Sequence, residues 1–343
     1  MADLIGKLTT GGWQIIAPVT FAPDHTGGYF SECFFVEREE KKAFLKLMDI
    51  SQFADFGRLL QGLSEFKYET ELVRHSTEKR LSRVVRLLES GELETDPTNT
   101  IPLLRTLPYL IFERGEGDIR ATVDVSQNVS NKWRFCVLHR AVSGLLQLHQ
   151  ANIAHQDIKP SNVIRFIDNE LKIGDLGRST QRGNSAPHDT LRVAGALSYA
   201  PFELQYSYIM PDWIHRRLAT DVFHIGCLLV YVFTNIVLPA HVFKHLELVY
   251  HPDKWGDPYL QVVPHIKAAL ELSITELAED FPQLYRAELI SIVRDMCNPD
   301  PMNRGVGPGP RSNVGTTLWL QKFVSKFDIL EKRASLLARQ NYA

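Results

Sequence analysis

Cysteine is scarce in this chain: Cys33, Cys136, Cys227 and Cys297 are the only four in 343 residues, and they stand far apart. No Cys-x-x-Cys pair is present, so the cysteines suggest neither a zinc site nor a disulfide framework. A reducing cytoplasm is the expected setting. An excess of charge of one sign is also missing. Lys and Arg total 38 against 40 Asp and Glu, a formal net charge of −2. Bulk electrostatics therefore gives no reason to expect nucleic acid or a membrane surface as partner. Long apolar runs are absent as well. The most apolar stretch, residues 225–243, is interrupted by Thr234, Asn235, Pro239 and His241. It reads as a buried helix rather than a membrane span. The first residues carry Lys7 but no apolar core, so no signal peptide is expected. Internal repeats and low-complexity tracts are lacking. With 44% apolar and 23% charged residues, the chain has the composition of a soluble globular protein, long enough for one large bilobal domain or two ordinary ones.

What is there is concentrated in one stretch. His155-Gln156-Asp157-Ile158-Lys159-Pro160-Ser161-Asn162 is followed closely by Asp175-Leu176-Gly177. Each piece alone reads as a turn or a cap. Together they resemble the H-R-D-x-x-x-x-N catalytic loop and the D-F-G motif of the protein kinase family, with Asp157 and Asn162 at the required spacing. The flanks agree. Leu145, Leu146 and Leu148 end an apolar helical run, and residues 163–166 and 171–173 read as two short strands around the turn Asp168-Asn169-Glu170. The resemblance implies an α+β, bilobal protein-kinase-like fold, with a β-rich N-lobe (residues 11–113), a helical C-lobe (114–330) and a charged C-terminal tail (331–343). It implies transfer of the γ-phosphate of ATP, with Mg2+, to a Ser/Thr hydroxyl of a protein substrate. Asp157 would be the catalytic base, Lys159 would offset charge on the transferred group, and Asn162 and Asp175 would supply oxygen ligands to the metal.

The same family pattern can be followed upstream. Residues 32–38 and 42–48 read as a hairpin, and its second strand carries Ala43-Phe44-Leu45-Lys46, which looks like V-A-I-K. Lys46 would then hold the α- and β-phosphates. A helix over residues 66–83 offers Glu69, or Glu71 as runner-up, to pair with Lys46. The two stand two apart and face different sides, so only one can do so. Residues 109–115 resemble the last N-lobe strand and hinge, with Phe112 behind the adenine pocket and the backbone of Glu113 and Gly115 at the adenine edge. Gly28 and Phe30 fall in the phosphate-covering loop. Farther on, Ala200-Pro201-Phe202-Glu203 resembles the A-P-E end of the activation segment. Glu203 is expected to pair with Arg304, and Asp221 to cap the catalytic loop.

Three departures from the pattern stand out. The Gly-rich loop keeps only its middle glycine, Gly28, between Thr26 and Ser31. Gln156 replaces the Arg that holds an activation-loop phosphate in switched kinases, so activity is expected not to need phosphorylation of Ser179, Thr180, Ser185 or Thr190. Ala196 stands where a Thr commonly bridges to the catalytic Asp, and its loss is expected either to loosen that contact or to go with an unusual substrate. Two alternatives remain at this level: a pseudokinase-type nucleotide-binding scaffold, or a small-molecule kinase of the aminoglycoside or choline type. The chain is similar in wording of motifs to bacterial members of the eukaryotic-like Ser/Thr kinases. The stretch 205–218, with Tyr206, Tyr208 and Trp213, is expected to pack on the C-lobe rather than to form a docking surface.

Overall fold

Alternating apolar residues build the first lobe. The computed structural model describes residues 4–20, 31–94, 105–125, 129–305 and 320–340; Gly28 and Phe30 lie outside the described residues. Strands β1 (Gln14–Pro18), β2 (Ser31–Arg38), β3 (Lys41–Met48), β4 (Leu87–Glu94) and β5 (Thr106–Glu113) form one antiparallel sheet in the order β1-β2-β3-β5-β4. Glu39 and Glu40 both take positive φ (49° and 64°), the backbone a tight two-residue hairpin requires, and fix the register from Ser31↔Met48 to Arg38↔Lys41. Ala43, Leu45 and Leu47 pack on one face with Trp13, Ile15, Val36 and Ile111. The period-2 alternation turns Lys46 and Met48 differently: Lys46 faces the interlobe cleft.

Strand β4 was not expected, because Leu-Leu-Glu-Ser-Gly-Glu-Leu-Glu carries no apolar alternation. Side-chain hydrogen bonds hold it instead. Glu89 Oε1 accepts from Tyr109 OH (2.6 Å), Thr9 Oγ1 (3.0 Å) and the Gly11 N–H (3.1 Å). Helix α1 (Phe56–Glu78) begins ten residues before the predicted start. Asp55 caps it by accepting the Arg58 N–H at 2.9 Å, and it ends ahead of Arg80 at φ 55°. Phe66, Leu72 and Val73 of α1 are buried against Met48, Leu110 and Leu176.

The second lobe is mostly helical. β6 (Gly117–Asp118), α2 (Arg120–Val125) and α3 (Asn131–Gln150) lead to the short strands β7 (Ile153–Ala154), β8 (Val163–Arg165), β9 (Leu171–Ile173) and β10 (Thr180–Gln181). There follow α4 (Phe202–Gln205), α5 (Ala219–Thr234), α6 (Leu238–Lys244), α7 (Tyr259–Leu277), α8 (Arg286–Met296) and α9 (Leu320–Gln340). Among the described residues, one helical stretch is long and apolar enough to cross a membrane by composition, Ile214–Thr234, and 94% of its apolar window is buried inside the protein. It forms the centre of the C-lobe core with Phe135, Leu145, Leu270 and Phe323.

The boundary drawn at residue 331 does not coincide with a break. Helix α9 runs through it, Glu331 meets His139 Nδ1 at 2.8 Å and Arg333 pairs with Glu288 at 2.6 Å. In the stretch before α5, Tyr208 stacks on Tyr259 at 5.1 Å, and Tyr206 and Trp213 pack on the C-lobe core.

Candidate active site

The chemistry-bearing side chains converge on a cleft of about 550 Å³, lined by Lys46, Glu69, Asp157, Lys159, Asp175 and the segment Ala194 to Ser198. From β3, Lys46 Nζ reaches across to α1, 2.7 and 3.0 Å from the two Glu69 oxygens, and to Asp175 Oδ1 at 3.3 Å. Glu69 is buried and Glu71 is exposed, so the helix phase decides between them. Burial opposes the charge on Lys46, but Asp175 and Glu69 together hold its ammonium well above the ordinary lysine range. Lys46 in turn holds the Asp175 carboxyl far below the usual carboxylate range, against burial. A second tie fixes α1: Arg178 Nη1 lies 3.1 Å from Glu65 Oε2. Opposite Lys46 on β2, burial pushes the Cys33 thiol up to about 12.

Asp157 and Lys159 of the loop line the same cleft, and the loop backbone that carries them is bound from beneath. Asp221 of α5, fully buried, accepts the N–H groups of His155 (2.8 Å) and Gln156 (2.6 Å) and meets His149 Nε2 at 2.9 Å. Gln156 (φ 63°) and Asp175 (φ 58°) both sit in the left-handed region, a local strain the surrounding contacts hold in place. Asp157 Oδ2 accepts from Lys159 Nζ at 2.9 Å, and Asn162 Nδ2 donates to the Asp157 carbonyl at 2.7 Å. That bond leaves the Asn162 oxygen turned away, with only Ser161 Oγ near it at 3.3 Å. Asp175 Oδ1 is engaged by Lys46 and by the Gly177 N–H. Its other oxygen has no hydrogen bond among the described residues. Asp175 thus offers one uncommitted carboxylate oxygen and Asn162 an amide oxygen engaged only by the long Ser161 bond; hard oxygen donors of this kind suit Mg2+.

The Ala196 departure resolves in an unexpected way. The Ala196 backbone N–H donates to Asp157 Oδ1 at 2.8 Å, so a main-chain donor stands where a hydroxyl was anticipated. Gly195 permits this approach: a Cβ there would lie 2.5 Å from both Asp157 Oδ1 and the Gln156 carbonyl.

The Gln156 departure also has a structural counterpart. The Gln156 side-chain nitrogen donates to the Arg178 carbonyl (3.1 Å) and to Thr180 Oγ1 (3.0 Å), and its oxygen accepts from Arg217. Arg217 then pairs with Asp189 Oδ1 at 2.7 Å, and Arg216 donates to the Asp189 carbonyl at 2.6 Å. A carboxylate from the chain itself thereby ties the activation segment to a buried guanidinium. Arg217 was not legible in the sequence, because 61 residues separate it from Gln156. Ser179 and Thr180 are buried, whereas Ser185 and Thr190 are exposed. The double variant Ser185→Ala/Thr190→Ala is therefore expected to keep wild-type activity, and Asp189→Ala to lower it. Steady-state rates measure both, and a wild-type rate in Asp189→Ala would remove the clasp from the argument.

The hinge residues stand apart from this cluster. Phe112, Glu113 and Gly115 do not line the cleft described above. The Glu113 N–H donates to the Arg86 carbonyl at 3.1 Å, so that amide is not free for a ligand, and its carboxylate is held by Lys172 Nζ at 2.6 Å. Gly115 packs against β8, where a Cβ would lie 2.3 Å from Ile164 Cγ2.

A family model described as "Protein kinase domain" matches residues 28–306. The chain belongs to the protein kinase family. Curated relatives include Mitogen-activated protein kinase 13 of Oryza sativa, 28% identical over 164 residues, covering 46% of this chain and 31% of that protein. Cysteine-rich receptor-like protein kinase 6 of the same species is 30% identical over 185 residues, 51% of this chain and 24% of the relative. Serine/threonine-protein kinase ppk24, mitochondrial, of Schizosaccharomyces pombe is 28% identical over 201 residues, 54% and 40% respectively. The matched region spans less than half the length of each of these relatives.

One more position on β3 departs from the family pattern. The V-A-I-K strand carries a small residue two places before its lysine; here that place holds Phe44. Phe44 lies directly between Phe35 of β2 and Phe112 of β5 in the sheet register, on the same face as Lys46. A half-buried ring there would take volume from any flat base entering beside it. Phe44→Ala is expected to tighten ATP binding several-fold, read by calorimetry. Weaker binding would show instead that the ring serves as a platform for the base.

Proposed function

We propose that this protein kinase transfers the γ-phosphoryl group of ATP to a Ser or Thr hydroxyl of a protein. The observation that carries the reading is the joint assembly of Lys46–Glu69–Asp175 with Asp157–Lys159 in one cleft, with Asn162 bonded to the Asp157 carbonyl beside it. Lys46, held in place by Glu69, binds the phosphates of the nucleotide. Asp157, steadied by Lys159 and the Ala196 N–H, orients the acceptor hydroxyl and takes its proton. Lys159 offsets negative charge as the phosphoryl group moves. Asp175 and Asn162 would hold Mg2+, which when bound neutralises charge on the phosphates.

A protein acceptor is favoured over a small molecule by the segment Ala194 to Ser198, which lines the cleft and leads into Glu203 with its buried Arg304 partner. Lys159 at the second place after Asp157 resembles the Ser/Thr group rather than the tyrosine kinases. The four free thiols fit a reducing, cytoplasmic setting.

The test is transfer of label from γ-labelled ATP with magnesium to casein, myelin basic protein or the protein itself. Asp157→Asn is expected to lower the rate by about 10²- to 10⁴-fold, and Lys46→Ala to abolish transfer. Acid hydrolysis of the product should yield phosphoserine or phosphothreonine. ATP-dependent thermal stabilisation without any transfer would replace this reading by that of a nucleotide-binding scaffold.

A further inference from the structure

Away from the cleft, two imidazoles and a carboxylate converge on one point between α6 and α7. His241 lies on α6, and His245 caps its C-terminus with helical dihedrals, so the two are four apart and share one face. Their rings are 5.1 Å apart. Glu276, near the end of α7, reaches both: Oε1 is 3.6 Å from His241 Nε2, and Oε2 is 2.8 Å from His245 Nε2. One potential ligand atom from each of the three lies within 4.8 Å of the others.

We propose that His241, His245 and Glu276 form a zinc-binding site that joins α6 to α7. The spacing supports it, because two histidines at i and i+4 on a helix face with a carboxylate from a neighbouring helix form a His₂Glu donor set that suits Zn2+. Tetrahedral bonds of about 2.0–2.1 Å place ligands roughly 3.3 Å apart, so side-chain rotations of little more than an ångström close the site. The satisfaction of polar atoms supports it further. His245 Nε2, the nitrogen that faces Glu276, is buried without a hydrogen-bond partner; its approach to Glu276 is off the hydrogen-bonding axis. Only 9% of the His241 side chain is exposed. Buried polar atoms left unpaired in this way call for an ion, a water or a chemical role.

The competing arrangement is a plain ion pair, since Lys244 Nζ lies 3.3 Å from Glu276 Oε1. Both partners of that pair are more than half or half exposed (63% and 50%). Exposed pairs of this kind contribute little, and the metal displaces the ammonium readily. The site would brace the end of the activation segment: Phe243 of α6 packs edge-on against Phe202 of α4 at 5.8 Å.

Titration calorimetry of the metal-stripped full chain with Zn2+ alone tests the assignment independently of any kinase activity. One equivalent per chain is expected, with micromolar or tighter affinity. His245→Ala and Glu276→Ala change half-exposed or partly exposed side chains outside the cleft and keep the fold, as circular dichroism will verify. Each is expected to weaken binding by more than about 100-fold, the upper range for loss of a mere outer-shell partner. Lys244→Met is expected to bind zinc at least as well as wild type. Co2+ in place of Zn2+ should give the visible absorption of a tetrahedral site. Absence of stoichiometric binding, or binding unchanged in the His245→Ala/Glu276→Ala double variant, would overturn the proposal.

Discussion

Replacing Arg304 by leucine is expected to destabilise the protein by about 3–5 kcal/mol, the range for removing one partner of a buried ion pair. Arg304 is fully buried and meets both Glu203 oxygens at 2.7 Å. It also donates to the Asn298 carbonyl at 3.0 Å and the Ala219 carbonyl at 3.3 Å, and its guanidinium lies 5.0 Å from the Phe223 ring centre. Burial would lower its pKa, yet Glu203 holds it above the ordinary arginine value. Leucine strands the Glu203 charge in the core and leaves two carbonyls without this donor. Urea denaturation measures the loss as a lower midpoint at constant slope. The double variant Glu203→Leu/Arg304→Leu should recover part of it, because removing both charges also removes the stranded one. Stability within about 1 kcal/mol of wild type for the single variant, less than breaking such a pair should cost, would mean that water reaches Glu203.

The second large effect is on rate rather than stability. Gly195→Ala is expected to lower kcat by about 10²-fold, the scale of a catalytic group displaced by roughly an ångström. The added Cβ would sit 2.5 Å from Asp157 Oδ1 and from the Gln156 carbonyl, and both belong to the catalytic loop, so the loop must shift. ATP affinity should change little, because Lys46, the residue proposed to bind the phosphates, is held by Glu69 in the other lobe. A companion variant separates crowding from the hydrogen bond. Ala196 has φ −71°, which proline also adopts, so Ala196→Pro removes the N–H that donates to Asp157 without forcing that dihedral. Losing one hydrogen bond to a charged group corresponds to about 1.5–3 kcal/mol, or roughly 10- to 100-fold in rate. Single-turnover kinetics at saturating ATP reads both variants. Wild-type turnover in Ala196→Pro would show that this bond does not position Asp157.

The chain order of His155, Asp157, Lys159, Asn162 and Asp175 was enough to identify the family and to anticipate a bilobal fold, because those residues lie within one short, continuous stretch whose spacing the chemistry fixes. Hairpin β2–β3 was legible for a similar reason: alternation and turn residues are local signals. Other features are set by contacts between distant segments. Glu69 rather than Glu71 faces Lys46 because α1 starts at Asp55 and packs Phe66 and Leu72 inward, a phase that sequence spacing alone left open. Strand β4 exists because Glu89 gathers donors from residues 9, 11 and 109.

The departures from the family pattern divide along the same line. The sequence determined by itself that Gln156 and Ala196 lack the charge and the hydroxyl usual at those places. Only the tertiary structure decided what replaces them: the backbone N–H of Ala196 on Asp157, and Arg217 with Asp189 beside Gln156. Side-chain identity is written in the chain, but a hydrogen bond requires a donor and an acceptor about 3 Å apart. For these residues, separated by tens of positions, packing within the C-lobe sets that distance.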